Sequence, residues 1–291
     1  MNIFFQIDGG LGKSIMGTAI VKAIKKKYKK ANLYVVSAYP DVFLNNPDVK
    51  QIFRSDEING VYLKYIKGKE AKVFSGEPYR ESDFILEKKH LFEVWCNMFG
   101  LKYQGESPEL FLTQPEIDYF KPFYETEKPI MVIQPNGGPQ NQGFNYSWTR
   151  DIPTPTVLDV INHFKDKYTI AHIKRQDQPV YPDTLHAMDG FRSIAILISL
   201  SQKRLLMDSF GQHLAAAMNK PSVVAWVTTN PGQFGYGLHT NLTRNKFTKK
   251  PLIEQAAYQP FNLAQDISSI PYNDLTEVFN SKDIIQAIED L

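Results

Sequence analysis

Residues Asn2–Ile7 form a short apolar run that stops at Asp8-Gly9-Gly10-Leu11-Gly12, and helical spacing follows at once. A run closed by glycines reads as a buried strand turning directly into a helix. Between residues 14 and 30, apolar Met16, Ala19, Ile20, Ala23, Ile24 and Tyr28 recur on one face, with Lys22, Lys25, Lys26 and Lys29 on the other. Asn32–Ser37 reads as a second strand, 41–45 as a short helix closed by Asn46-Pro47, and 49–53 as a third strand. The same device returns in the second half. A strand at 129–134 runs into Pro135-Asn136-Gly137-Gly138, followed by helices at 156–167, 193–201 and 212–218 and strands at 169–173, 205–208 and 222–227. Strand–helix–strand alternation of this length predicts parallel sheets with right-handed crossovers.

The expected fold class is α/β, with two Rossmann-like doubly wound domains facing a cleft. Residues 1–127 form the first and 128–275 the second, and 276–291 form a C-terminal helix that packs back on the first. Segment 105–129, rich in Pro, Glu and aromatics, holds the linker. The chain has 291 residues, enough for two ordinary domains, and 43% hydrophobic residues, enough for a core in each. Its net charge of +2, from 33 basic and 31 acidic side chains, is weak for a dedicated nucleic-acid binder, although a local patch can suffice. The single cysteine, Cys96, excludes an internal disulfide and reads as helix packing in a reducing compartment. The apolar start is too short for a signal peptide or a membrane span and no later run reaches that length, so the expected location is the cytoplasm, or the host cytoplasm for a phage protein.

Residues Gly9 to Ser14, GGLGKS, look like the end of a phosphate-cradling ATPase loop. The first glycine of that motif falls on Ile7, and the lysine of the partition-type variant falls on Asp8, whose charge is reversed. Arg204-Leu205-Leu206-Met207-Asp208 has the form of a strand ending in a magnesium-binding acid, yet any buried strand ending at a helix cap has it too. Gly9, Gly10 and Gly12 permit a tight turn and close approach of a ligand, and the helix start behind them favours an anion or a hydroxyl-rich molecule. A plain strand-to-helix turn is the alternative.

A second pattern is more specific. A buried strand ends at Asp208, and Ser209, Phe210, Gly211, Gln212 and His213 surround the start of the next helix, with Asp208 or Ser209 available as its cap. Ala215 to Ala217 allow close packing; Lys220-Pro221, an apolar strand and Thr229-Asn230-Pro231 follow. This order resembles the ADP-heptose:lipopolysaccharide heptosyltransferases, family 9 of the glycosyltransferases, which have the GT-B fold. That family carries Asp-[Ser/Thr]-Gly-x-x-His-x-x-x-Ala, then Lys/Arg-Pro, an apolar strand and Thr-Asp/Asn-Pro. In the first half, Leu11-Gly12, Ala19-Ile20, Ala23-Ile24 and Asn46-Pro47-Asp48-Val49 resemble the family's Gly-Asp, Pro-Ala-Leu and Asn-Pro-x-Val. Gln134-Pro135-Asn136-Gly137 and Ser147-Trp148-Thr149 resemble its second-domain opening. The likeness spans most of residues 1 to 235. The chain departs from it in three places: the family aspartate that resembles a catalytic base is Lys13, the motif glycine is Phe210 with Gly211 one place later, and the basic residue before the tryptophan is replaced near Tyr146 and Ser147.

The resemblance implies transfer of a sugar from a nucleotide-sugar, ADP- or UDP-linked, to an acceptor hydroxyl, inverting and without metal. No other cofactor is expected, and no Asp-x-Asp occurs in the sequence. The donor diphosphate is assigned to Asp208, Ser209, Phe210, Gly211, Gln212, His213 and Asn230, with Asn136, Gly137, Lys174 and Arg175 as further contacts and Tyr236, between Gly235 and Gly237, lining the same side. Asp8, at the end of the first strand, is the candidate general base. Gly9, Gly10, Gly12, Lys13, Glu77, Tyr79 and Arg80 form the acceptor side. The acceptor is polar or anionic, a saccharide such as lipopolysaccharide core or a hydroxymethylated base in bacteriophage DNA, and the lysine-rich first helix offers it a cationic face. The alternatives are a partition-type ATPase and a non-catalytic nucleotide-sugar binder.

Overall fold

The computed structural model describes residues 1–138, 147–250 and 270–291. Tyr146, and the side chains of Ser147 and Trp148 that entered the resemblance, lie outside the described residues. The chain divides into two compact units, Met1–Glu116 and Ile117–Leu291. The division falls earlier than the expected boundary at 127, within a helix, Gln114–Phe120, formed by part of the Pro-rich stretch expected to hold the linker.

In the first unit, β1 (Asn2–Ile7) leads into α1 (Leu11–Lys27), then β2 (Asn32–Ser37), β3 (Gln51–Arg54) and β4 (Ala71–Phe74), followed by α2 (Ser82–Ile85) and α3 (Leu91–Met98). The sheet order is β3-β2-β1-β4 and every pair is parallel. The stretch 81–100 has helical spacing in the sequence but forms two helices, α2 and α3, with Glu87 between them at a positive φ of 52°. Alternation along β1 sorts its side chains onto two faces. Phe5 meets Trp95 of α3 edge-on at 5.6 Å on one face. On the other, Phe4 stacks on Tyr34 at 4.8 Å, beside Phe53 and Tyr65.

In the second unit, α4 (Gln114–Phe120, astride the division) leads to β5 (Ile130–Gln134), α5 (Ser147–Arg150), α6 (Thr154–Phe164), β6 (Thr169–His172), β7 (Leu185–His186), α7 (Phe191–Leu200), β8 (Lys203–Met207), α8 (Phe210–Ala217), β9 (Val223–Trp226), α9 (Pro231–Phe234), β10 (Thr240–Thr243) and α10 (Ser281–Glu289). The order is β10-β9-β8-β5-β6-β7, again parallel throughout. β5 and β8 are buried on both faces, as a sheet covered by helices on both sides requires. The C-terminal helix corrects an expectation. Ile284 and Ile288 of α10 are buried in one cluster with Val160, Phe164 and Leu205, so its apolar stripe completes the core of the second unit.

In each unit the first strand sits between strands reached in opposite directions: β1 between β2 and β4, β5 between β6 and β8. That reversal of winding leaves a crevice at the carboxyl edge, between the loops after the two strands concerned.

Candidate functional site

At the first crevice lie the loops after β1 and β4. Gly9 has φ of +108°, a conformation that L side chains rarely adopt, and Gly10 opens α1 with no side-chain cap and no acid in the first turn. Lys13 is only 5% exposed. Its ammonium donates to both oxygens of Glu77, at 2.9 and 2.8 Å, and lies 5.2 Å from the Tyr79 ring centre and 5.6 Å from that of Trp95. Gln6 donates to the Asp8 carboxylate at 3.2 and 3.5 Å, and Asp8 is exposed. The loop 9–13 and the Glu77–Tyr79 cluster, read separately in the sequence, therefore meet in one place, while Arg80 stays exposed.

This geometry bears on the ATPase alternative. The lysine that would face phosphate is folded against Glu77 and two aromatic rings. The strand ending in Asp208 belongs to the second unit's sheet, so the two halves of that motif do not share a sheet.

At the second crevice the loops after β5 and β8 face each other. Gly211 N donates to Gln134 Oε1 at 3.0 Å, and a Cβ on residue 211 would come 2.2 Å from that oxygen. Gly211 is therefore fixed by the close approach of Gln134. Ser209 sits at the cap position of α8 without accepting a hydrogen bond from its backbone, and its Oγ is 3.4 Å from Gln134 Nε2. Asn136 donates to Asp151 at 2.9 Å, and Gly137 N donates to the other oxygen of that carboxylate at 2.9 Å. Arg150, at the end of α5, donates to the Asp208 carbonyl at 3.3 Å.

Asp208 is wholly enclosed, and its Oδ2 has no hydrogen-bond partner. Burial raises its carboxyl above the usual carboxylate range, opposed by the charge of Arg150 and by Thr229. His213 Nδ1 is 2.7 Å from Tyr236 OH, a partner the sequence had placed on the same side. Gln212 donates to Phe234 O at 3.2 Å. Asn230 caps α9 by accepting from Gly232 N at 2.7 Å. Lys174 and Arg175 follow β6 on the same edge, but Lys174 donates to Arg175 O and Arg175 pairs with Asp177 at 3.1 Å. All the donor-side candidates thus follow strand ends on one edge, with the loops at 134–138 and 208–213 at the crevice.

Two residues of this edge escaped sequence reasoning. Arg150 brings a cation to the crevice; the signal was its place just after Ser147-Trp148-Thr149. His172 ends β6, is 1% exposed and has no partner on either ring nitrogen; burial, helped by Lys174 and His186, lowers its pKa to about 4. Cys96 is buried, and its thiol is pushed up to about 12, which makes it an inert packing residue. Among the described residues no group of three or more His, Cys, Asp or Glu side chains is arranged to hold a metal ion, and no helix is long and apolar enough to cross a membrane.

No protein-family model matches the sequence, nor does any curated protein. Solved structures do match. A glycosyl transferase family 9 protein from Veillonella parvula aligns with a TM-score of 0.67 and 13% identity, over 99% of this chain and 96% of that one. E. coli ADP-heptose LPS heptosyltransferase II aligns at 0.65 with 15% identity, over 84% and 91%. E. coli heptosyltransferase WaaC, solved with ADP, aligns at 0.61 with 11% identity, over 100% and 99%. The chain therefore has the two-domain GT-B fold of these solved structures.

Proposed function

We propose that the chain is a glycosyltransferase that moves a sugar from a nucleotide-sugar to an acceptor hydroxyl, inverting the anomeric centre and using no metal. The observation that carries this is positional. The segment Asp208–His213, which resembles the family's donor motif, lies at the winding reversal of a sheet whose fold is that of sugar transferases, beside Asn136-Gly137 and Arg150. The donor diphosphate lies at the start of α8. The Ser209 side chain does not cap that helix and Gln134 takes only the Gly211 N–H, so the positive end of the dipole together with Arg150 stabilises charge developing on the leaving group. The acceptor binds the first unit, and its hydroxyl attacks the anomeric carbon from the side opposite the diphosphate. Asp8 accepts the proton, because Glu77 is already engaged by Lys13 and position 13 carries no acid. The donor is an ADP- or UDP-sugar, and the acceptor is a saccharide or a hydroxymethylated DNA base.

The test is thermal stability against ADP-, UDP-, GDP- and CMP-sugars and ATP, with and without Mg²⁺. A donor at about a hundred times its Kd adds roughly 2.7 kcal/mol of apparent stability. One nucleotide-sugar acting without Mg²⁺ supports the proposal, and Asp8→Asn should then keep that shift while losing transfer. Stabilisation by ATP with Mg²⁺ alone would overturn it. Slow donor hydrolysis with no acceptor used would identify a binder.

A further inference from the structure

We propose that the amino edge of the first unit's sheet docks on an anionic lipid surface. The inference is independent of the sugar-transfer proposal. Because all four strands are parallel, every turn entering a strand lies on one edge, and these turns carry lysines. Lys29 and Lys30 precede β2, Lys50 precedes β3 and Lys69 precedes β4, while α1 ends there with Lys27, and Lys72 lies near the start of β4. Among the described residues none of these six is in an ion pair. The acids on the same turns are Asp48 and Glu70, and Glu70 is balanced by the amino terminus at 3.6 Å. On a chain of net charge +2, this edge thus carries six lysines against two acids, one of which is already paired.

A cavity of about 310 Å³ opens there, lined by Met1, Ala31 and the residues from Lys26 to Lys30. Tyr28 stands beside it, its hydroxyl 3.1 Å from Lys72 Nζ and its pKa lowered by that contact. Size and charge suit a phosphate-bearing headgroup.

The apolar component lies alongside. The turn Tyr62–Ile66 is fastened to this edge, since Asn2 donates to Tyr65 O at 2.9 Å and Tyr65 OH donates to Gln51 at 3.1 Å. Tyr62 and Leu63 on that turn are 61% and 65% exposed, flanked by Lys64 and Lys67. Lysines around an exposed aromatic and a leucine fit a charged bilayer interface, where cations meet headgroups and the apolar side chains enter below them. Nucleic acid fits less well, because the edge turns hold no arginine to fork a phosphate. The seventeen residues of α1 span about 25 Å. The docked face and the Gly9–Gly12 loop therefore lie at opposite ends of that helix, and docking leaves the carboxyl edge open.

The full chain should be sedimented with vesicles of phosphatidylcholine alone and with about 30% phosphatidylserine added. Binding only to the anionic vesicles, lost at high salt, is expected. Each of Lys29→Glu, Lys30→Glu and Lys69→Glu should weaken it about five-fold or more, Leu63→Ser should weaken it at unchanged charge, and Lys282→Glu, on the second unit, should not. No binding, equal binding to neutral vesicles, or equal loss from Lys282→Glu would overturn the proposal. So would binding to duplex DNA as strong as to the anionic vesicles and indifferent to Leu63→Ser.

Discussion

Glu77→Gln is the sharpest test of how the opening loop is held. It removes the counter-ion of an ammonium whose side chain is 4% exposed, while Glu77 itself is 35% exposed. Removing one partner of a fully buried pair costs about 3–5 kcal/mol. Here water reaches the Glu77 side, glutamine still accepts one hydrogen bond, and the Tyr79 and Trp95 rings each continue to attract the ammonium by about 0.5–1 kcal/mol. The expected loss is therefore about 1.5–2.5 kcal/mol. Lys13→Met leaves only a partly solvated carboxylate and an apolar chain against those rings, so it should cost less. The double variant should resemble Lys13→Met alone, giving a coupling energy equal to the Glu77→Gln loss, about 1.5–2.5 kcal/mol. Urea unfolding followed by tryptophan fluorescence is the assay, because Trp95 is the one tryptophan of the first unit and reports that unit's transition. With a slope of about 1–3 kcal/mol per molar urea, the midpoint should fall by about 1 M. A loss under about 0.5 kcal/mol, or additive single effects, would refute the view that this ion pair anchors the loop. The same pairing predicts that Mg²⁺-ATP leaves the wild-type transition where it is.

Three further outcomes follow from the second unit. His172 is neutral in the fold because burial lowers its pKa to about 4. Below about pH 6.5 the unfolded chain takes up a proton that the folded chain refuses, so this contribution is complete above that pH and is lost as pH falls toward 4. At about 1.4 kcal/mol per unit the loss is about 2–3 kcal/mol. Since neither ring nitrogen has a partner, His172→Phe should cost little at pH 7 and flatten this slope in urea titrations at several pH values. Gly211→Ala must push Gln134 off the Gly211 N–H and should cost about 1–3 kcal/mol, with partial recovery in Gly211→Ala/Gln134→Ala, read by thermal unfolding. Ile288→Ala should lower second-unit stability by about 2–4 kcal/mol, because α10 belongs to that core.

The parallel sheets were legible because period and punctuation agree: Asn2–Ile7 and Asn32–Ser37 begin and end where glycine, asparagine and helical spacing say they should. The strand β4 was missed. It has four residues at a sheet edge, with Lys72 and Val73 exposed, and so carries almost no alternation signal. That omission hid the pairing of Lys13 with Glu77, since 64 residues separate them and only the place of β4 beside β1 brings them together. The amphipathic pattern of 281–289 announced a buried face but not the surface that would bury it. A helix stripe specifies apolarity and spacing, which Val160 and Phe164 satisfy as well as any face of the first unit.

The convergence of the candidate donor residues on one edge was legible for a different reason. In a parallel sheet every loop after a strand is delivered to the same edge, so segments as far apart as 136–137, 174–175, 208–213 and 230 converge without any contact being known. Topology does not say which of those side chains face a ligand and which serve the scaffold. Arg175 and Asn230 turn to local partners, while Arg150, absent from the sequence assignment, reaches the Asp208 carbonyl. Asp208 makes the distinction sharpest. Sequence marks it as a cap or a metal acid. In the fold its carboxyl is enclosed, held above the usual carboxylate range and short of one partner, beside a helix start that Ser209 leaves uncapped. Burial that raises this carboxyl favours its neutral form, which places less negative charge beside the start of α8 than an ionised aspartate would, and that is the arrangement the proposed diphosphate site calls for.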